Sequence, residues 1–449
     1  MKKHLILLLI LSISQAFAGF DFNPLTTQIT TSYNQRAKNG LLVGASIGIF
    51  VSQDPNTALK LNFGEAKSSH DFFAIGSISK TFTGILLSKL ILEEKIALDA
   101  PIENLIPELK GSFMGKSTVH LLATHSAQLI GDAPGEFFFR ESEMINLLKN
   151  YQPTSDFPAG IRQYSNLSFM TLSLIIRRVT GDTFVNNIKK HIFNPINMSE
   201  SGFLNNKEVF SKLLTPHTVL QTITNHDLLL DIADATGGIF SNLEDMTKFL
   251  KANLYPKKFP TLTAAILFSQ KLGLGWDSEP NASVLYKNGA MTGFGSMFQL
   301  NPSRSEGVIV LCNSRCTLPA MSLANIAMGG PDKFVGDLPI DDNMKTAALG
   351  IYTDSENKYK IEMISTDLGF LGLHVYIADS TGFNDSYLNL RLRQQSLNKF
   401  MIYDGYGAVV KDYVVFEIEP TTQKMLFHYF QMNMVNGKEE YEEIVFTKR

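Results

Sequence analysis

Apolar positions in this chain follow two rhythms, and the switches between them outline its organisation. The run Leu41 to Phe50 is almost continuously apolar, which predicts a buried strand, and Leu59 to Phe63 predicts its hairpin partner. Ile85, Leu86, Leu87, Leu90, Ile91 and Leu92 then recur at helical spacing behind Lys80. Ile102 to Leu109 reads as a short helical stretch bounded by Pro101 and Pro107. Residues 116 to about 250 read as mostly helical. Val119 to His125 opens one helix, Glu141 to Leu148 and Phe169 to Val179 form two more, and Asp245 to Leu250 closes the region. Gly160, Gly181 and Gly237-Gly238 punctuate it.

Strand signals return at Leu272 to Trp276, Ser283 to Lys287, Phe294 to Leu300 and Val308 to Leu311. Their short connections favour antiparallel pairing. A helix over Ala320 to Ala327 ends this unit, and Gly329-Gly330-Pro331 to Asn343 is polar and turn-rich, as a linker is. Beyond it lie six short alternating runs: Lys358 to Met363, Gly372 to Ile377, Tyr387 to Leu392, Lys399 to Tyr403, Tyr413 to Ile418 and Met425 to Gln431. They predict a small all-β unit, a barrel or a sandwich. The expected division is a leader at 1–18, a first domain at 19–330, a linker at 331–344 and the β unit at 345–449.

The leader rests on Lys2 and Lys3, an apolar core from Leu5 to Leu11, and the small-residue site Ala16-Phe17-Ala18. Cleavage after Ala18 would give a mature chain starting at Gly19, in the periplasm or outside the cell. The apolar run is short for a membrane span, so no transmembrane segment is expected after cleavage. With 449 residues, 44% apolar and 18% charged, the chain has an ordinary globular balance and room for two or three domains. A formal charge of -3 gives no reason to expect nucleic acid or an anionic membrane as partner. The cysteines are Cys312 and Cys316. A local bridge and two buried thiols both fit, and two cysteines among scattered histidines do not make a zinc pattern. No metal or organic cofactor is expected.

Three polar groupings carry candidate chemistry. In Gly76-Ser77-Ile78-Ser79-Lys80, Ser77 sits at a helix start and Lys80 follows on the same face. An amine can therefore reach a hydroxyl beside the positive end of a helix. A serine hydroxyl is a weak nucleophile until a neighbouring base takes its proton, and a desolvated lysine can serve. Arg162-Gln163-Tyr164-Ser165-Asn166 places a phenol and an amide two apart ahead of a helix. Lys287-Asn288-Gly289-Ala290 places a cation on a strand, followed by glycines that would let a substrate approach the backbone. Each short pattern also occurs elsewhere: Ser355 to Lys358, Ser396 to Lys399, Tyr387 to Asn389 and Lys271 to Gly273 match the same minimal forms.

Order and context set the first three apart. Ser-x-x-Lys, then Tyr-x-Asn, then Lys-x-Gly ahead of the last strands resembles the penicillin-recognising serine hydrolases, in particular class C β-lactamases and the related low-molecular-weight penicillin-binding proteins and esterases. Leu98-Asp99-Ala100-Pro101, Gln152-Pro153 ahead of Pro158, Ile192 to Met198, Ser241 to Met246 and Gly273-Leu274-Gly275-Trp276 stand where that family has similar stretches. The resemblance covers roughly residues 25 to 328 and implies an α/β (α+β) fold. It would have an antiparallel sheet flanked by helices, an all-helical subdomain and, here, an appended C-terminal β-barrel. The segment from Ala347, through Gly350-Ile351-Tyr352, resembles the lipocalin-like β domain attached to some relatives.

The family implies roles. Ser77 would be the acylated nucleophile, and Lys80 and Tyr164 would share its proton, with the choice of base left open. Asn166 would bind the substrate amide with Asn288 and Gly289 beside it. Lys287 would tune Tyr164 and help hold a substrate carboxylate. The backbone N–H groups of Ser77 and Ala290 would form the oxyanion hole. The sequence departs from the pattern at Asn288, where Thr or Ser is usual, and at Ser126-Ala127-Gln128, where Thr-Ser-Gly or Thr-Ala-Gly is usual. Gly237 also stands where many class C enzymes have tyrosine. No downstream Asn and Arg match those used near the substrate carboxylate, although Arg315 lies close in sequence. The expected function is an exported hydrolase acting through an acyl-enzyme on D-alanyl peptides or related amides. Its small-molecule or peptide substrate would be a cell-wall peptide or a β-lactam. A class C-like β-lactamase, a broad esterase and a catalytically silent binding protein are the alternatives, and the oligomeric state is left open.

Overall fold

The computed structural model describes residues 21–38, 40–51, 54–129, 140–153, 161–205, 207–217, 233–291, 293–314, 317–332, 346–356, 358–365, 371–379, 382–394, 399–403, 409–418, 425–435 and 438–448. The expected leader at 1–18, Pro158 to Gly160, Arg315, Cys316 and the linker from residue 333 lie outside the described residues.

Strands β1 (Gly44–Val51) and β2 (Asp54–Gly64) form the predicted hairpin. The short strands β3 (Phe73–Ala74), β4 (Gly202–Phe203) and β5 (Ile239–Ser241) make a small sheet of their own in the order β3-β5-β4. Strands β6 (Leu285–Met291), β7 (Phe294–Asn301) and β8 (Glu306–Cys312) return to the first hairpin. They complete a five-stranded antiparallel sheet in the order β2-β1-β8-β7-β6. The first strands of the chain therefore pair with its later ones, and β6 forms an edge.

Every residue of β1 is buried, which explains its almost continuous apolar run: both faces of the sheet are covered. On one face the helices Asn23–Lys38 and Thr317–Ala327 enclose Ile47, Ile49, Val308 and Val310. These helices are joined by Arg36, whose guanidinium is buried. It bonds Ser322 Oγ at 2.6 Å and forms an ion pair with Asp332 at 2.8 Å. On the other face the helical region packs around Ser79–Leu92, which is buried on nearly all sides and so carries apolar residues all round. Helix ends use local chemistry. Ser165 caps Asn166–Thr180 by accepting from Ser168 N–H, and Gly181 ends that helix with φ +68°.

Two expectations are corrected. Leu272 to Trp276 is not a strand. Helix Thr263–Leu272, unmarked by the periodicity, ends there, and Gly273 and Gly275 turn the chain with φ +70° and +79°. Leu274 and Trp276 are buried in that turn, so the alternation reflects core filling and not a pleat. Ile102 to Leu109 is not one helical stretch but two single 3₁₀ turns, Ile102–Asn104 and Pro107–Leu109. Ile106 takes φ −128° ahead of Pro107, as the pyrrolidine ring demands.

The C-terminal strands are β9 (Gly350–Asp354), β10 (Tyr359–Ser365), β11 (Leu371–Asp379), β12 (Gly382–Gln394), β13 (Lys399–Tyr403), β14 (Val409–Ile418), β15 (Met425–Val435) and β16 (Lys438–Lys448). They close into an antiparallel barrel, with β9 pairing both β10 and β16. Six of the eight overlap the predicted runs. The pattern gave no run for β9, or for β16, whose Glu439, Glu440, Glu442 and Glu443 obscure the alternation. Tyr352, Ile361, Leu373, Phe416, Phe427 and Phe446 share a separate apolar core. Among the described residues no helix is long and apolar enough to cross a membrane.

Candidate active site

The site begins with a turn. Gly76–Ile78 forms a 3₁₀ turn that runs directly into the Ser79–Leu92 helix. Ser79 Oγ donates to Gly76 O at 2.7 Å and accepts from Ile239 N–H at 3.2 Å, which fixes the turn against β5. Gly76 has φ +51°, and a Cβ there would stand 2.7–2.9 Å from the Ala290 backbone. Gly289 is equally constrained, because a Cβ would lie 2.1 Å from Ile75 O. Two glycines thus allow the Ser77 turn and strand β6 to touch backbone to backbone. Ser296 Oγ on β7 adds a 2.9 Å bond to Ile75 O.

Ser77 Oγ receives Lys80 Nζ at 3.1 Å and Tyr164 Oη at 2.6 Å. The two groups come from different elements. Lys80 lies one helical turn along, while Tyr164 ends the extended segment ahead of the Ser165 cap. Lys80 is fully buried. Its ammonium also donates to Asn166 Oδ1 and to Thr236 O, both at 2.7 Å. Three acceptors match the three N–H donors of an ammonium. The same Nζ stands 4.9 Å from the centre of the Tyr164 ring.

Lys287 reaches the same ring from β6, with Nζ also 4.9 Å from its centre. It too is fully buried, and its ammonium reaches both oxygens of Asp277 at 2.8 Å. Asp277 accepts further from Arg162 Nη2 at 3.0 Å and from the Asn288 N–H at 3.2 Å. Burial would raise the Asp277 carboxyl, but the Lys287 ammonium, the Asn288 N–H and Arg162 together hold it below the usual carboxylate range. Burial pushes the Lys287 ammonium down, and Asp277 opposes that push. Lys287, expected from the resemblance to help hold a substrate carboxylate, thus has its charge answered by a carboxylate of the chain itself.

His125 underlies the phenol. Its carbonyl accepts from Gln163 N–H at 2.7 Å, its Nδ1 accepts from Ser165 N–H at 3.1 Å, and its ring centre lies 4.5 Å from that of Tyr164. An accepting Nδ1 puts the proton of the neutral ring on Nε2. Burial, reinforced by Lys80, Lys287 and Arg162, holds this imidazole well below its ordinary range. His125 and Gln128 take φ +61° and +57°. Gln128 stands where the family pattern has glycine, and it retains the backbone conformation that glycine adopts most cheaply.

The structure therefore brings Ser77, Lys80, Tyr164, Asn166, Lys287, Asn288, Gly289 and Ala290 together. The sequence reading did not assign Asp277, Arg162, Thr236 or His125. No short motif carries Asp277: it is a single acid behind Trp276, ten positions from the lysine it meets. Arg162 was visible two positions before Tyr164, but with no partner to give it meaning. Among the described residues, no group of three or more His, Cys, Asp or Glu side chains is placed to hold a metal ion. Gly237 packs on the Gly76 backbone, where a Cβ would make ordinary van der Waals contact at 3.6 Å and so would be tolerated.

The comparisons with known proteins agree with this geometry. A sequence model of the β-lactamase family matches residues 42–329. A β-lactamase of Yersinia enterocolitica is 24% identical over 328 residues, covering 62% of this chain and 83% of its own. A putative penicillin-binding protein of Bacillus subtilis (strain 168), PbpX, is 25% identical over 301 residues, covering 63% of this chain and 75% of its own. Among solved structures, a class C β-lactamase in complex with cefoxitin shares the fold with a TM-score of 0.61 at 18% identity. That match covers 69% of this chain and 99% of the other. With the family match spanning well over half of its length, the chain belongs to the β-lactamase family and is a serine hydrolase.

Proposed function

We propose that this hydrolase is exported and forms an acyl-enzyme on D-alanyl peptides or related amides, in the manner of a penicillin-binding peptidase. The observation that carries the reading is the meeting of Lys80 Nζ and Tyr164 Oη on Ser77 Oγ, at 3.1 and 2.6 Å. In this reading Ser77 Oγ attacks the carbonyl carbon and passes its proton to Tyr164 or Lys80. The same groups return that proton to the leaving amine. The N–H groups of Ser77 and Ala290, brought together by the Gly76 and Gly289 contacts, face the developing oxyanion; such donors contribute about 3 kcal/mol each. Water then releases the acyl group. Asn166, whose Oδ1 accepts from Lys80, would line the place for the substrate amide with Asn288 and Gly289. Residues 1–18 would direct export and be removed.

Labelling with a fluorescent penicillin, followed by a chase, tests the reading. The label should require Ser77, be lost in Ser77→Ala, and persist for many minutes in the wild type. Rapid release would identify a working β-lactamase, as the Yersinia relative is named. Hydrolysis of a simple ester through Ser77 without penicillin labelling would identify an esterase. No reaction with either probe would overturn the enzymatic assignment of these residues.

A further inference from the structure

Asp277 is the one acidic side chain within hydrogen-bond reach of Lys287 among the described residues, and it is shared. Its Oδ1 receives Arg162 Nη2 and Lys287 Nζ, and its Oδ2 receives Lys287 Nζ and the Asn288 N–H. The carboxylate is built into place. Asp277 N–H donates to Tyr286 O at 2.9 Å, and Ser278 Oγ accepts from Tyr286 N–H at 2.7 Å, so the segment after Trp276 is stitched to β6 on both sides of Tyr286. Arg162 reaches over from the segment that carries Tyr164, two positions before the phenol, and adds a 3.4 Å bond to Trp276 O.

We propose that Asp277 is a positioning residue for acyl transfer: it fixes the Lys287 ammonium beside the Tyr164 ring and, through Arg162, ties the Tyr164 segment to strand β6. The proposal rests on the reading of Tyr164 as a proton carrier for Ser77. The physical case is charge balance in a dry site. Lys287 is fully buried, and among the described residues the charged groups that bear on it and the phenol include Lys80, Arg162 and Asp277, with His125 neutral beneath. The ammonium groups of Lys80 and Lys287 each stand 4.9 Å from the ring centre, whereas the carboxylate does not touch the phenol, so the two near cations dominate the field there and favour the phenolate needed to accept the Ser77 proton. Without the carboxylate, burial and the neighbouring cations would drive Lys287 toward the neutral amine, and the phenol would lose one of its two flanking cations. Arg162 would also lose its anchor, so the 2.6 Å contact between Tyr164 and Ser77 would loosen. Asp277 touches neither Ser77 nor Tyr164, and it works through the groups that it holds.

The test is the pH profile of acylation of the full-length protein by the fluorescent penicillin, with p-nitrophenyl acetate as the probe if penicillin does not label. Asp277→Asn should lower the acylation rate about tenfold or more at neutral pH, within the range of a disturbed general base. It should also move the acid limb of the profile upward by about one unit, since a phenol with less positive charge beside it ionises less readily. Asp277→Glu, which keeps the charge, should restore the limb even where the rate is reduced. In a Lys287→Met background, Asp277→Asn should add little, because residues acting through one another do not add. That double variant also removes both members of the buried pair, so it reports even if Asp277→Asn alone does not fold. An unmoved acid limb in Asp277→Asn, or an equally large fall in the Lys287→Met background, overturns the proposal. Wild-type acylation in Tyr164→Phe would instead overturn the reading beneath it, so the two failures are distinct.

Discussion

His125 holds the Tyr164 segment in three ways, by carbonyl, by Nδ1 and by ring, and it must be neutral to do so with Nδ1 accepting. This gives a prediction with a definite sign. The folded imidazole stays uncharged well below its ordinary 6.5, whereas the unfolded one takes up a proton there. Below that value the unfolded state therefore binds more protons. The contribution of His125 to stability is complete above pH 6.5 and is lost as the pH falls toward the depressed folded value, at up to about 1.4 kcal/mol per pH unit. Urea midpoints across this range should show a steeper acid loss in the wild type than in His125→Asn, which tolerates the positive φ; parallel curves would sink the idea. Legibility at this scale followed locality. Ser77 and Lys80 declare themselves because one helical turn brings i and i+3 together. Tyr164 and Lys287 needed the order of motifs along the chain. Asp277 meets Lys287 only through a turn and a strand, and its place had to be seen.

At the scale of elements, the contact between the Gly76–Ile78 turn and β6 assembles the site. Gly76→Ala would require the turn or the strand to move, since both the positive φ and the 2.7 Å approach to Ala290 O oppose a methyl group. Acylation should fall about a hundredfold, the scale of losing an oxyanion donor, while the melting temperature drops by only a few degrees. Unchanged labelling kinetics would show that the backbone approach is not what positions Ser77 against Ala290. The sheet was readable from sequence because its inner strands are largely buried and carry mostly apolar runs. The turn after helix Thr263–Leu272 was misread for a related reason. Leu272, Leu274 and Trp276 alternate with glycines as in a strand, yet the glycines are there to turn the chain, and Gly275 additionally lets Lys80 O approach a site where a Cβ would stand 2.1 Å away. Spacing alone does not distinguish a pleat from a turn that buries every second residue.

At the scale of the molecule, the barrel of β9 to β16 has its own core, distinct from the two cores around the five-stranded sheet. A chain ending at residue 344 should therefore fold and label at Ser77, whereas an insoluble or unlabelled product would show that the barrel completes the hydrolase. The position of the cut matters. Asp332 falls within the expected linker and beyond the family match, which ends at residue 329, yet its carboxylate answers the buried guanidinium of Arg36. A chain ending at 330 should be less stable than one ending at 344 by about 3 kcal/mol, the cost of stranding a buried charge, read from their urea midpoints. Equal midpoints would mean that Ser32 and Ser322 suffice for Arg36. The same pair has a consequence for synthesis. The helix Asn23–Lys38 leaves the ribosome well before Asp332, which lies 296 positions after Arg36. Strand β1 likewise waits for β8 to cover its open edge. The enzyme therefore cannot assemble from its N-terminus as it is made. That helix and the β1–β2 hairpin remain without their proper partners until residues 306–332 have been made, an interval in which a holding chaperone would have most to protect.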